Sequence, residues 1–288
     1  MPESEKHSDW SVLKMLEWAT DWLESKNVNS PRLSVELLLA DILSCNRLDL
    51  YMMYDRPLNE TELKQFKPLL VRRGKHEPIQ YIIGWTSFFG LHIIVNDSVL
   101  IPRPETEELV ELFLKKFKDK QHGNILEIGT GSGCIALALK SEKPDWNVFA
   151  FDICPKALDL ATKNATNLGL DVNFFVDDLF KPQNLPDIKF DCIISNPPYI
   201  HTSERDAIDV EVKNFEPEIA LFHSSVDSVY AAIEQIGRNH LVSQGKIMLE
   251  LNENRGDETM QLFAPSYWVT SIKKDFSNKD RMLFSALK

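Results

Sequence analysis

Apolar positions in the first part of the chain recur at helical spacing. Val12, Met15, Leu16, Ala19, Trp22 and Leu23 fall three and four residues apart, on one face of a helix, within a helical pattern running from Asp9 to about Lys75. Ser30-Pro31 sets a capping hydroxyl before a proline suited to a first helical position, and predicts a second helix across the apolar run from Leu33 to Leu43. Asn59 followed by Glu62 has capping-box spacing, with Leu58 and Leu63 placed as a hydrophobic staple, and predicts a third helix to about Arg73. Together these segments read as a small helical bundle.

From Tyr81 to Leu100 the pattern changes to β-branched and aromatic residues interrupted by Gly84 and Gly90, which predicts a short hairpin. Pro104 then opens a carboxylate-rich first turn, favoured by the helix dipole, of a helix to about Phe117. Beyond it strand and helix patterns alternate, the mark of a mostly parallel sheet covered by helices. The expected strands are Asn124 to Ile128, Asn147 to Phe151, Val172 to Val176, Phe190 to Ser195, Lys246 to Leu251, Tyr267 to Lys273 and Arg281 to Ala286. Helices are expected over Ala157 to Leu168 and Ser228 to Leu241. The last two strands have no helix between them, so they are read as an antiparallel pair. The fold class is therefore α/β, with a seven-stranded, mostly parallel, Rossmann-like sheet and a helical bundle before it. Residues 1–78 form the expected helical domain, 79–103 a hairpin connector and 104–288 the α/β domain.

At 288 residues the chain has room for one large domain and a smaller one. Its net charge of −11 argues against a broad basic surface for nucleic acid, since phosphate contacts supply most non-specific affinity. No apolar run approaches the ~20 residues of a membrane span. The N-terminal MPESEKHSDW has no secretory pattern, so a cytosolic protein is expected. Cys45, Cys134, Cys154 and Cys192 stand singly, as packed reduced thiols would, and the histidines show no metal-ligand spacing. No metal is expected.

Candidate chemistry collects at the expected strand ends. Leu126-Glu-Ile-Gly129-Thr130-Gly131-Ser132-Gly133-Cys is a strand that ends in a glycine turn opening a helix, where the backbone must turn sharply and approach a ligand closely. A dinucleotide fingerprint would need glycine at position 134, which is Cys134. The G-x-G-x-G spacing suits an adenosyl amino acid instead; a purely structural tight turn is the alternative. Asp152 ends the next strand, where a carboxylate can accept from both ribose hydroxyls. Asp177-Asp178-Leu179 ends the third, where the Asp178 carboxylate can accept from an adenine amine while a backbone N–H donates to the ring. Strand ends of such a sheet converge on one crevice.

The fourth strand runs into Asn196-Pro197-Pro198-Tyr199. Two prolines stop a ladder and fix a rigid turn. The bland reading is a strand terminator with an incidental Asn196, but the four residues match a nitrogen-methylating tetrapeptide. An amide nitrogen shares its lone pair with the carbonyl and is a weak nucleophile, so it needs positioning more than a strong base. The Asn196 side-chain oxygen and the Pro197 carbonyl can accept its two N–H bonds and aim it, while Tyr199 can pack on the planar group.

The chain resembles the HemK family of peptide chain release factor glutamine methyltransferases over nearly its whole length. The resemblance rests on Glu77-Pro-Ile-Gln-Tyr, Ile101-Pro-Arg-Pro-Glu-Thr-Glu, Glu127-Ile-Gly-Thr-Gly-Ser-Gly, Asn196-Pro-Pro-Tyr-Ile and Phe215-Glu-Pro-Glu-Ile-Ala-Leu, in matching order. It implies a class I methyltransferase sheet, S-adenosyl-L-methionine as donor, and methylation at N5 of the glutamine in the Gly-Gly-Gln loop of a release factor. It further implies donor contacts from Gly129 to Gly133, Asp152, Leu179 and Asn196, glutamine held by Asn196 to Tyr199, and a helical domain that grips the protein substrate. A monomer is expected. Arg103, a poor helix cap, is expected either at the pocket wall or in a surface ion pair. The chain departs from the family pattern after the fifth main strand, where Asn252 and Arg255-Gly256 stand in a usually glycine-rich turn; Asn252 can tolerate a positive φ there.

A DNA adenine-N6 methyltransferase would act on another planar nitrogen, but it needs to flip a base and carries a basic recognition region. The acidic balance and the lack of room after Lys288 argue against it. A ribosomal-protein glutamine methyltransferase shares the chemistry and remains a rival. A non-catalytic donor-binding module predicts an eroded Asn196 or glycine loop, and both are intact.

Overall fold

The computed structural model describes residues 10–288; Asp9, where the helical pattern was expected to begin, and the rest of the polar N-terminal stretch lie outside the described residues. The chain forms two compact units, one holding the described residues up to Gly84 together with Asp209–Phe215, the other Trp85–Ile208 and Glu216–Lys288.

The smaller unit is helical. Its helices are α1 (Val12–Glu24), α2 (Pro31–Ile42), α3 (Glu60–Arg73) and the short α4 (Ile79–Ile83), with a 3-10 turn at Arg47–Met53. The apolar stripe of α1 is buried, with Val12, Ala19 and Leu23 fully covered and joined by Val35, Leu38 and Leu39 of α2. Asn59 and Glu62 form the expected capping box: the Asn59 side chain accepts from the Glu62 amide at 2.9 Å, and Glu62 accepts from the Asn59 amide at 2.9 Å. Ser30 behaves otherwise. It precedes α2 with φ 49° and its hydroxyl caps nothing, because the left-handed backbone turns the side chain from the helix end. Part of the stretch expected to start the hairpin, Ile79–Ile83, is helical and stops at Gly84, which takes the left-handed conformation at φ 84°.

The larger unit opens with the hairpin of β1 (Trp85–Phe88) and β2 (Leu91–Ile94), followed by α5 (Pro104–Lys116). Then come β3 (Asn124–Ile128), α6 (Cys134–Glu142), β4 (Asn147–Asp152), α7 (Pro155–Leu168), β5 (Asn173–Val176) and β6 (Phe190–Ser195). After β6 the two-residue strands β7 (Ile200–His201) and β8 (Phe222–His223) pair in parallel. Between them in sequence lie α8 (Val210–Phe215), which belongs to the smaller unit, and α9 (Glu218–Leu221). The chain closes with α10 (Val226–His240), β9 (Leu241–Glu250), α11 (Gly256–Gln261), β10 (Trp268–Lys274) and β11 (Asp280–Leu287).

Seven strands form one sheet in the order β10-β11-β9-β6-β3-β4-β5. Five are parallel, and β11 pairs antiparallel with both β9 and β10, as a hairpin without a crossover helix must. The β6 run Phe-Asp-Cys-Ile-Ile-Ser is buried throughout, Asp191 and Ser195 included, as befits a strand at the centre of a sheet covered on both faces. β9 starts at Leu241, five residues earlier than its apolar pattern suggested, because Val242 to Lys246 include exposed polar positions. Beneath the strand starts, Trp146 is fully buried and meets Phe113 and Phe117 edge-on, each with centroids 5.2 Å apart. Among the described residues no helix is long and apolar enough to cross a membrane.

Candidate active site

The carboxyl ends of β3, β4, β5 and β6 surround a cavity of about 300 Å³ within the larger unit. The order β6-β3-β4 makes this the expected place: strand direction is shared, but the chain leaves β3 toward β4 and later returns to the other side with β6, so the loops part and leave a crevice.

The glycine turn forms one wall. The amides of Gly129 and Thr130 both donate to the Phe151 carbonyl, at 2.9 and 3.1 Å, and the Gly131 amide donates to Asp152 Oδ2 at 2.9 Å. Gly129, Thr130, Gly131 and Ser132 line the cavity, but Gly133 does not. Gly133 is closely packed: a methyl there would lie 3.1 Å from Ala161 Cβ and 3.3 Å from Leu137 Cδ1 and Phe174 Cζ, so Gly133 serves the close approach of α6 to its neighbours. At Gly131, with φ 54°, the same methyl would meet nothing within 4 Å. Ser132 Oγ is buried and has no hydrogen-bond partner among the described residues.

Two residues that hold this turn were not singled out from sequence. Glu127, 1% exposed, accepts from Thr130 Oγ1 at 2.7 Å and from the Ala136 amide at 3.0 Å, and it lines the cavity. Burial pushes its carboxyl up to about 8 despite those two hydrogen bonds. Asn164, fully buried on α7, donates to the Ser132 carbonyl at 2.9 Å and to the Ile94 carbonyl at 3.0 Å, while its oxygen accepts from the Ile94 amide. It fastens the turn to β2. A polar side chain on the apolar face of α7 was the available signal.

Asp152 lines the cavity, and burial raises its carboxyl against the hydrogen bonds from the Cys154 and Gly131 amides. Each of its oxygens already accepts one backbone N–H, Oδ1 from Cys154 and Oδ2 from Gly131. Asp178 and Leu179 also line it, and Asp178 Oδ1 accepts from the Phe180 amide at 2.8 Å. The adjoining Asp177 shapes the loop, taking the amides of Asp178, Gln183 and Asn184.

Opposite lies the turn after β6. Asn196, Pro197 and Pro198 line the cavity. Asn196 Nδ2 donates to Thr106 Oγ1 at 3.1 Å, and its Oδ1 accepts no hydrogen bond from the described residues. Tyr199 does not line the cavity: its ring packs on the sheet core and its hydroxyl donates to Glu250 Oε1 at 3.1 Å. The expected stacking of Tyr199 on a planar group is therefore not the contact its side chain makes, because the buried Glu250 draws the hydroxyl inward. Burial raises the Tyr199 phenol, and the adjacent Glu250 adds to this. Glu250 is itself raised by burial, with the hydrogen bonds from Thr106 and Tyr199 and the charge of Arg281 acting the other way. Asn252 has no positive φ; its Oδ1 accepts from the Asn254 amide at 3.0 Å, so the altered turn is closed by a side-chain hydrogen bond rather than by left-handed backbone. Arg103 lines the cavity, and its ion pair is not a surface one: it is made with the buried Glu216, which also accepts from the Ile101 amide at 3.1 Å.

A sheet of this order, with a glycine turn after its first central strand and acidic residues at the next two strand ends, is that of the class I methyltransferases. A solved methyltransferase from Pyrococcus furiosus shares this fold, with a TM-score of 0.53 and 19% identity over 69% of this chain and 90% of its own. Residues 14–84 match the family described as PrmC N-terminal domain, and 104–216 the methyltransferase small domain. A release factor glutamine methyltransferase of Leptospira interrogans is 37% identical over 96% of this chain and 98% of its own length, and one of Geobacter sulfurreducens is 39% identical over 91% of each. The chain belongs to the release factor glutamine methyltransferase family.

Proposed function

We propose that the protein transfers a methyl group from S-adenosylmethionine to the N5 amide nitrogen of the glutamine in the Gly-Gly-Gln loop of a peptide chain release factor. The observation that carries this reading is the Asn196-Pro197-Pro198 turn on the cavity wall, where the Asn196 amide is held by its nitrogen and its oxygen is left to accept. That oxygen and the Pro197 carbonyl take the two N–H bonds of the substrate amide, a pairing that suits a primary amide and raises electron density on its nitrogen.

The cavity fits the methyl donor. Ser132 Oγ is a buried hydroxyl with no hydrogen-bond partner among the described residues, and Gly131 leaves open space where a side chain would stand. Asp152 keeps one lone pair on each oxygen for the ribose hydroxyls beyond the two backbone N–H bonds it accepts. Asp178 and the Leu179 amide would hold the adenine edge, and Glu127 would give the amino-acid end an acidic neighbour whose charged form a cation favours. When bound, S-adenosylmethionine supplies an electrophilic methyl on a sulfonium centre, whose positive charge disappears as the methyl leaves. The residues of the chain hold the nitrogen in line with that methyl and exclude water, an ordering worth ~7 kcal/mol at the low end by effective-molarity arguments, and as the N–C bond forms one N–H proton of the amide is released to solvent.

The helical unit grips the release factor, and the protein works as a monomer in the cytosol without direct contact to nucleic acid; the acidic net charge of −11 supports the last point and disfavours DNA adenine as the acceptor. The match of residues 14–84 to the family's own N-terminal domain favours a release factor over a ribosomal protein. Mass spectrometry of a release factor after incubation with enzyme and donor tests the proposal. A gain of one methyl on the loop glutamine is expected, with none on the Gln→Ala loop variant; equal labelling of both would remove glutamine as the acceptor.

A further inference from the structure

Asn196 has two ends that differ only in which atom donates, and the proposed chemistry needs the oxygen to face the substrate. The structure supplies a reason for that choice outside the tetrapeptide. Thr106, on the first turn of α5 and 2% exposed, donates its hydroxyl proton to Glu250 Oε2 at 2.7 Å. Glu250, at the end of β9 and 1% exposed, receives Tyr199 on its other oxygen at 3.1 Å. A carboxylate only accepts, so both hydroxyls must point their protons at it. With its one proton committed, Thr106 Oγ1 can only accept from its remaining neighbour, and the neighbour within reach is Asn196 Nδ2 at 3.1 Å. A flipped Asn196 would set its oxygen against the Thr106 oxygen with no proton between them.

We propose that Thr106 and Glu250 are positioning residues that fix the orientation of the Asn196 side chain, so that its oxygen rather than its nitrogen meets the substrate amide. The relay runs carboxylate, hydroxyl, amide across three elements: the end of β9, the start of α5 and the turn after β6. It accounts for a threonine at the third position of a helix whose flanking positions are glutamates, and for a buried acid at the end of β9 that forms no ion pair among the described residues. Glu250 does not line the cavity, and Thr106, which does, acts in this proposal through Asn196. The inference rests on the glutamine-methylating reading above and deepens it.

The test compares Thr106→Val, which keeps the shape and removes the hydroxyl, with Thr106→Ser, which restores the hydroxyl alone. Donor affinity by calorimetry reports that each variant is folded. With release factor as substrate, Thr106→Val is expected to lose about a hundredfold in kcat, the scale of loss that misplacement at a reacting centre produces, with donor affinity unchanged within about twofold. Thr106→Ser is expected to recover to within about threefold of the parent, a rescue that repacking of the site would not give. Adding Thr106→Val to Asn196→Ala should change the residual turnover by less than about twofold, since a residue acting through Asn196 has nothing left to act on. Equal kcat in parent and Thr106→Val, or full additivity in the double variant, would overturn the relay while leaving glutamine methylation standing. Failure of the parent itself to methylate glutamine would overturn both.

Discussion

At the scale of single residues, Glu127 shows how burial and function share one atom set. Its carboxyl carries the turn through Thr130 and Ala136, yet burial holds it up at about 8 rather than the ordinary 4.5. Between those two values the folded chain keeps a proton that the unfolded chain has released. The contribution of Glu127 to stability is therefore full below about 4.5 and is lost as pH rises through about 8. A glutamine at this position can serve the same two neighbours without titrating. Thermal unfolding of the parent relative to Glu127→Gln is expected to fall progressively from pH 5 to pH 8, and parallel curves would show that this carboxyl does not titrate in that window. That Glu127 would be buried was not readable from its neighbours alone; it depends on α6 starting immediately over the end of β3.

Within one element, the glycine turn divides its labour. Gly131 and Gly133 both hold positive φ, at 54° and 81°, so alanine at either costs roughly 1–2 kcal/mol of backbone strain. Beyond that the two should differ. At Gly133 the added methyl meets Ala161, Leu137 and Phe174, whereas at Gly131 it stands in open space on the cavity wall. Gly133→Ala is expected to lower the unfolding temperature more, and Gly131→Ala to weaken donor binding more. Calorimetric titration alongside thermal melts checks this, and unchanged donor affinity in Gly131→Ala would mean that the turn does not approach the ligand. The spacing of the glycines was legible in the sequence, but the direction of each missing side chain was not, because it depends on where α7 and β5 pack.

At the scale of the whole molecule, the helical unit is discontinuous in sequence: Asp209–Phe215 belongs with the described residues before Gly84. Arg73 is the fastening. It is 3% exposed, donates to Ser34 Oγ and to the carbonyls of Asn29 and Glu77, and meets Glu211 at 2.8 Å. Removing one partner of a covered pair is costly because the other keeps its desolvation without compensation. Arg73→Met is expected to destabilise the helical unit by roughly 3 kcal/mol, read as a lower urea midpoint, and an unchanged midpoint would show that the segment is held by something else. Nothing near Glu211 in sequence announces this partnership, since 138 residues separate it from Arg73.

What the sequence by itself determined were features set by neighbours along the chain: the helical stripe of α1, the capping box at Asn59, the seven strands of the main sheet in chain order, the glycine turn, and the Asn196 to Tyr199 turn that follows a buried strand. Each follows from local sterics, hydrogen bonding or periodic burial. Only the tertiary structure decided which members of those motifs face the cavity. It turned Gly133 and Tyr199 away from it, brought Glu127 into it, and linked Thr106, Asn196 and Glu250 through contacts spanning up to 144 residues. Which end of the Asn196 amide faces the cavity is a property of that linkage, because a side-chain orientation is chosen by the donors and acceptors around it in space.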